Sequence, residues 1–240
     1  MRRAARVRIR NMTSDEPLRS PAPTGLFLAF EGVEGSGKTT QVRLLAEHLA
    51  AAGRPPVVAR EPGSTPLGER VRATVLADVE LAVPPRSELF LMLAARAAFV
   101  DQVVRPALAD GRVVIADRFE LSTLAYQGGG RGLPADEIAA CNAVATGGLS
   151  PHATVLLELD PREGAARQRA AGMDPDRMER AGDEFHQRVA DAYRAMAGRV
   201  AGLVRVDARA EPREVHRRVV DALAARFPET FPGSGFIKQQ

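Results

Sequence analysis

The chain has 240 residues, 45% of them hydrophobic and 26% charged, which suits one globular domain with a sizeable core. No apolar run is long enough to span a bilayer and no uninterrupted apolar segment follows the basic N-terminus, so neither a membrane protein nor a secretory leader is expected. Cys141 is the only cysteine, which excludes an internal disulfide, fits a reducing cytosol and reads as a small buried or half-buried thiol.

Residues 1–24 carry six arginines against Asp15 and Glu16, a net of +4 where the whole chain is +3. The body is therefore near neutral, which argues against a nucleic-acid-binding surface. The tail has three prolines in its second half and no sustained period, so it is expected to be disordered. A basic arm toward nucleic acid or a membrane surface and a transit peptide are the alternatives, and Met12 offers a second start. After it, apolar runs alternate with helical patterns. "LFLAF" (26–30) reads as a buried strand entering a glycine turn. Residues 39–53 repeat apolar positions at helical spacing and end at Gly53. "PVVAR" (56–60) is a second strand, and a helix follows "TPLGE". Residues 86–109 read as one or two helices, bent or restarted at Pro106. Strands follow at 111–118, 153–160 and 202–208, and helices at 134–148, 161–170, 183–201 and 212–227. The end, 228–240, is expected to be loose. Strands separated by helices predict an α/β fold: a five-stranded parallel sheet with helices on both faces and ligands at the carboxyl ends of the strands.

Gly32-Val33-Glu34-Gly35-Ser36-Gly37-Lys38-Thr39 fits G-x-x-x-x-G-K-[ST] between a strand and a helix. The glycines let backbone N–H groups turn inward toward phosphate oxygens, and the helix beginning near Lys38 adds its positive end. Lys38 is expected on the β- and γ-phosphates and Thr39 on Mg²⁺. The pattern predicts a nucleoside triphosphate site but leaves the phosphoryl acceptor open. No guanine-reading N-K-x-D segment is present. Arginines at strand ends and after glycine turns suit an anionic acceptor.

"FEGVEGSGKTT" (30–40), "REPGSTPLGE" (60–69), "AARAAFV" (94–100), "ADRFELSTLAYQGGGRGL" (116–133) and "DRME" (176–179) follow one another in the order and rough spacing of thymidylate kinases. The chain resembles that family over about residues 26–225. The resemblance implies a P-loop fold with a short mobile lid, one domain over 25–227, and transfer of a phosphoryl group from MgATP to dTMP in the cytoplasm. By the same resemblance, Arg118 holds the acceptor phosphate or bridges the two nucleotides, and Asp117 lies near Mg²⁺. Arg72 grips the monophosphate, and Arg96 meets the thymine base and the phosphate region. Glu34 faces the acceptor's 3′-hydroxyl or a metal-bound water. Glu61-Pro62 forms the exit of the second strand, often with a strained or cis bond. Thr123 and Gln127 lie at the pyrimidine edge, and Tyr126 packs on the sugar, where it would crowd a 2′-hydroxyl. The loop at Asp207-Ala208-Arg209 is expected to flank adenine.

Two departures concern the base. Relatives often have a phenylalanine where this chain has Met92, with Phe90 two residues earlier, and many have a glutamine at the Ala98 position. The P-loop has Ser36 where some relatives carry arginine, so a transition-state cation is expected from the polar lid at 166–184, where Arg167, Arg169 and Arg177 are candidates. Asp176 and Glu179 would order the lid or the metal waters. The rival readings are a kinase for dUMP or dCMP and a non-catalytic ATP-binding protein. Relatives are commonly homodimers, and the helices at 86–109 and 134–148 could supply the interface.

Overall fold

The computed structural model describes residues 25–77, 80–172, 176–198 and 200–231. The predicted tail at 1–24 lies outside them. Five strands, β1 (Leu26–Glu31), β2 (Val57–Arg60), β3 (Val113–Asp117), β4 (Ala153–Glu158) and β5 (Leu203–Asp207), form one sheet in the order β2-β3-β1-β4-β5. Every pairing is parallel. Register brings the strand exits into line: Asp117 lies beside Phe30 on one side and Arg60 on the other.

All of β1 is buried because the sheet is covered on both faces. Its side chains alternate with the pleat. Leu26, Leu28 and Phe30 meet Val42, Leu45 and Leu49 of α1 (Lys38–Ala51) and Val215, Val219 and Leu223 of α9 (Pro212–Arg226). Phe27 and Ala29 meet Phe99, Val104, Leu108 and Phe119 on the other face.

Between β2 and β3 run α2 (Pro66–Arg72), which continues as a π-helical turn (Ala73–Ala77), and then α3 (Pro85–Phe99) and α4 (Arg105–Ala109). The hydroxyl of Thr65 caps α2 by accepting the Gly68 N–H at 2.9 Å. As expected, residues 86–109 hold two helices, and the second restarts with Pro106 in its first turn. A π-helical stretch, Val100–Val104, joins α3 to α4 with right-handed helical angles at both junctions. Widening the turn just before the proline accommodates the ring and the missing N–H.

After β3, α5 (Glu120–Thr123) opens into a π-helical segment, Leu124–Gly130, followed by α6 (Ala135–Thr146). Phe185, Val189 and Tyr193 of α8 (Asp183–Met196) pack with Leu121, Ala125 and Tyr126 of that segment and its lead-in helix. The glycine run in "YQGGGRG" allows this approach: a Cβ on Gly130 would sit 2.4 Å from the Phe185 ring, and one on Gly129 would sit 2.6 Å from Ala192. After β4, α7 (Pro161–Ala170) leads into the lid, and a 3₁₀ turn (Glu179–Ala181) precedes α8. The chain does not loosen at 228 as expected. Phe231 is fully buried in the α1–α9 core, and the Glu229 carbonyl accepts from Arg54 at 2.9 Å. Residues from 232 onward lie outside the described set.

Candidate active site

The carboxyl ends of β1, β2 and β3 open into a cleft of about 1050 Å³. Ala208, Pro212 and Val215 line it at one end, and Met92, Thr123 and Gln127 at the other, with the P-loop between. Of the P-loop, residues 34–39 line this cleft, while Gly32 and Val33 line a smaller one of about 300 Å³ behind the loop. The first residue of α1 is Lys38, and Gly37 before it takes φ +91° without a side-chain cap, leaving the helix's first N–H groups for an anion. Lys38 Nζ folds back onto the carbonyls of Gly32 at 3.1 Å and Val33 at 2.8 Å. Burial and the nearby Arg118 push its ammonium down to about 8, against the pull of Glu34. The loop rests on α7 by backbone alone: a Cβ on Gly164 would sit 2.1 Å from the Glu34 carbonyl, and one on Gly35 2.2 Å from the Gly164 carbonyl.

Thr39 Oγ1 donates to Asp117 Oδ2 at 2.6 Å. Hydroxyl and carboxylate oxygens are hard donors of the kind Mg²⁺ takes, and a cation bridged by nucleotide phosphates needs few protein ligands. Among the described residues no cluster of three or more His, Cys, Asp or Glu could form a metal cage. The residues present therefore fit a metal that arrives with its nucleotide.

Arg118 takes φ +77°, in the left-handed region, which costs a non-glycine residue roughly 1–3 kcal/mol. Its N–H donates to the Phe30 carbonyl at 2.9 Å. Its guanidinium donates to Glu34 at 2.6 Å, Ser122 Oγ at 3.1 Å and the Gly32 carbonyl at 3.2 Å, and lies 5.1 Å above the Tyr126 ring. Tyr126 donates its hydroxyl to Glu34 at 2.9 Å. Burial alone would raise the Glu34 carboxyl, but Arg118 and Lys38 outweigh it and hold it at about 2. Beneath lies Glu31, fully buried. Its oxygens accept from the Phe119 N–H at 2.8 Å, Ser122 Oγ at 2.6 Å and Tyr193 at 2.9 Å. It anchors the turn that presents Arg118.

Arg96 is only 3% exposed. Its Nε donates to Glu61 Oε2 at 2.9 Å, Nη1 to Thr123 Oγ1 at 2.9 Å and to Asn142 Oδ1, and Nη2 to the Phe119 carbonyl at 2.9 Å and to Glu61 at 2.9 Å. Its donors are thus engaged by the protein, which makes Arg96 a frame for the Met92–Thr123 end of the cleft as well as part of its lining. Burial pushes the Glu61 carboxyl up to about 7 despite Arg96, and its Oε1 has no hydrogen-bond partner among the described residues. The Glu61-Pro62 bond is cis, and Arg72 reaches the Pro62 carbonyl at 3.2 Å while lining the cleft.

Met92 lines the cleft, whereas Phe90 is 59% exposed and does not; nor does Ala98. Of the three lid arginines, Arg167 lines the cleft and donates to the Ala208 carbonyl at 3.0 Å. Arg169 is exposed and not part of the lining. Arg177 is engaged elsewhere, by the Val75 carbonyl at 2.6 Å and Glu88. Asp176 accepts the N–H groups of Met178 at 2.8 Å and Glu179 at 2.9 Å, ordering the lid's second half. Sequence reasoning did not single out Glu31 as an anchor, nor Glu88, Asn142, Ser122 and Tyr193. The only local signal for Glu88 is an acid placed directly before the apolar run in "SELFLML".

The thymidylate kinase family model matches residues 30–219. A thymidylate kinase from Cereibacter sphaeroides is 49% identical over 205 residues, covering 83% of this chain and 94% of that protein. One from Symbiobacterium thermophilum is 41% identical over 211 residues, covering 88% and 98%. The crystal structure of thymidylate kinase from Ehrlichia chaffeensis superposes with a TM-score of 0.69 at 30% identity, covering 83% of this chain and 98% of that one. With a family match across most of its length and relatives this similar, the chain belongs to the thymidylate kinase family.

Proposed function

We propose that the protein phosphorylates dTMP to dTDP at the expense of MgATP, by direct transfer. The observation that carries this reading is one cleft of about 1050 Å³ lined together by Lys38 and Thr39 of the P-loop, by Arg118 and Arg72, by Ala208, Pro212 and Val215, and by Met92, Thr123 and Gln127. ATP lies over the P-loop with its base toward Ala208, Pro212 and Val215. The acceptor lies between Arg96, Thr123, Gln127 and Met92, with its phosphate on Arg72 and Arg118. An oxygen of the dTMP phosphate attacks the γ-phosphorus; the bond to the β–γ bridging oxygen breaks and ADP leaves. Lys38, Arg118 and Arg167 balance the charge that moves, and this positioning and neutralisation is the main catalytic contribution. Thr39 and Asp117 would hold Mg²⁺, which would supply further neutralisation of the phosphate charge. Glu34 holds Arg118 in place and meets the 3′-hydroxyl side of the acceptor sugar. Tyr126, braced by Glu34, restricts space for a 2′-hydroxyl.

Among the described residues no helix is long and apolar enough to cross a membrane. We assign the protein to the cytoplasm and to a homodimer. Phe90 on α3 and Val144 on α6, 59% and 84% exposed, are apolar surface for a second copy on two helices that pack together. Because Met92 replaces an aromatic residue at the base, dUMP and dCMP are the competing acceptors to test. Phosphorus NMR of a MgATP and dTMP mixture checks the reaction: dTDP and ADP should appear in equal amounts. ATP loss without dTDP would overturn it.

A further inference from the structure

Glu88 on α3 is fully buried, and both of its carboxylate oxygens are saturated. Oε1 accepts from Gln127 Nε2 at 2.9 Å and Arg131 Nε at 3.2 Å; Oε2 accepts from Arg131 Nη2 at 3.1 Å and Arg177 Nη2 at 2.5 Å. Burial alone would raise its carboxyl, but the bonds from Arg131, Arg177 and Gln127 hold it below the usual carboxylate range. Arg131 is itself braced over the Phe185 ring of α8, 4.6 Å from its centroid. Arg177 belongs to the lid, and its backbone N–H also donates to the Leu76 carbonyl at 3.0 Å. One carboxylate thus gathers α3, the π-helical segment that lines the acceptor end, the turn after α2, and the lid.

The chemistry of the Gln127 bond has a consequence. A carboxylate only accepts, so Gln127 must turn its NH₂ group toward Glu88. Its oxygen is then the end left for the cleft that Gln127 lines. In thymine and uracil N3 carries a proton and donates; in cytosine N3 accepts. A fixed amide oxygen favours the first pair and opposes the second, and a site built on hydrogen bonds discriminates by leaving groups unpaired with the wrong ligand.

We propose that Glu88 is a positioning residue that sets acceptor specificity: it fixes Gln127 as a hydrogen-bond acceptor toward the base and ties that setting to the lid through Arg177. This rests on the reading above that Gln127 faces the acceptor base. In Glu88→Gln the side chain keeps its shape but both donates and accepts, so the Gln127 amide is free to turn and Arg177 loses its anion.

Steady-state kinetics of Glu88→Gln with dTMP, dUMP and dCMP tests it. The KM for dTMP should rise about tenfold while that for ATP stays within about twofold, and the preference for dTMP over dCMP in kcat/KM should fall about tenfold. Glu88→Asp, which keeps the charge, should recover part of the loss. An unchanged preference, or equal rises in both KM values, would overturn the proposal. Gln127→Ala separates the two readings. If it leaves the dTMP KM unmoved, the acceptor placement fails and this proposal with it; if it raises that KM while Glu88→Gln does not, the placement stands and the role of Glu88 is overturned. Should Glu88→Gln not fold, Arg177→Met serves instead, read by calorimetry of dTMP binding without ATP. Weaker dTMP binding is expected, and unchanged affinity would overturn the tie to the lid.

Discussion

At the residue scale the site is a set of charges that hold one another in place. Arg118 pairs with Glu34, and the Lys38 ammonium sits near 8 because burial and Arg118 disfavour it against the pull of Glu34, Asp117 and Glu31. The group is cationic below that pH and neutral above it, so ATP affinity should fall as pH rises from 7 to 9.5. The fall should approach about tenfold per pH unit beyond 8, the slope of one proton. Calorimetric titration of ATP checks this, and a flat profile would contradict it. Glu61 behaves in the opposite sense to a surface acid. Its folded value, about 7, lies above its ordinary 4.5, so the folded state holds the proton more tightly. Its contribution to stability is present below about 4.5 and lost as pH rises through 7. In thermal melts from pH 5 to 8 the Tm of Glu61→Gln minus that of the unmodified protein should therefore rise with pH; a difference that falls would contradict this. The P-loop residues were legible from spacing alone, and Arg118, Arg72 and Tyr126 from family resemblance. Glu88 and Asn142 were not, because a buried acid or amide gains meaning only from partners far off in sequence: Gln127 and Arg177 for Glu88, Arg96 for Asn142.

At the scale of elements, the contact that matters most joins the P-loop to α7. Gly35 and Gly164 meet backbone to backbone, and α7 carries Arg167 into the cleft one turn later. Gly164→Ala would force a methyl group against the Glu34 carbonyl, a clash worth about 1–3 kcal/mol. We expect a lower melting temperature and a raised KM for ATP, with the KM for dTMP less affected. Wild-type values for both stability and the ATP KM would contradict it. Helix existence and order were legible from apolar spacing. The joins were not: the π-helical turns at Ala73–Ala77, Val100–Val104 and Leu124–Gly130 leave no periodicity mark. Pro106, a helix breaker by its local chemistry, is absorbed by one of them.

At the scale of the whole molecule, strand–helix alternation made the parallel sheet legible, but the order β2-β3-β1-β4-β5 depends on pairing between distant segments. The buried Phe231 likewise carries no local mark, since a short proline-flanked stretch reads as a loose end. The exposed Val144 and Phe90 belong to this scale. If they seal the proposed homodimer, the unmodified protein should have a dimer's mass in light scattering at micromolar concentration and Val144→Lys a monomer's; equal masses for the two would contradict the proposed interface. The central claim is that one cleft moves a phosphoryl group from ATP to dTMP with Arg118 as the bridge. The measurement that tests it most directly is ADP release from MgATP with each nucleoside monophosphate in turn, alongside Arg118→Ala. We expect fast turnover with dTMP, slower turnover with dUMP and dCMP, and a loss of at least about a hundredfold in the variant. Turnover that is greatest with another monophosphate, or that survives in Arg118→Ala, would contradict the account.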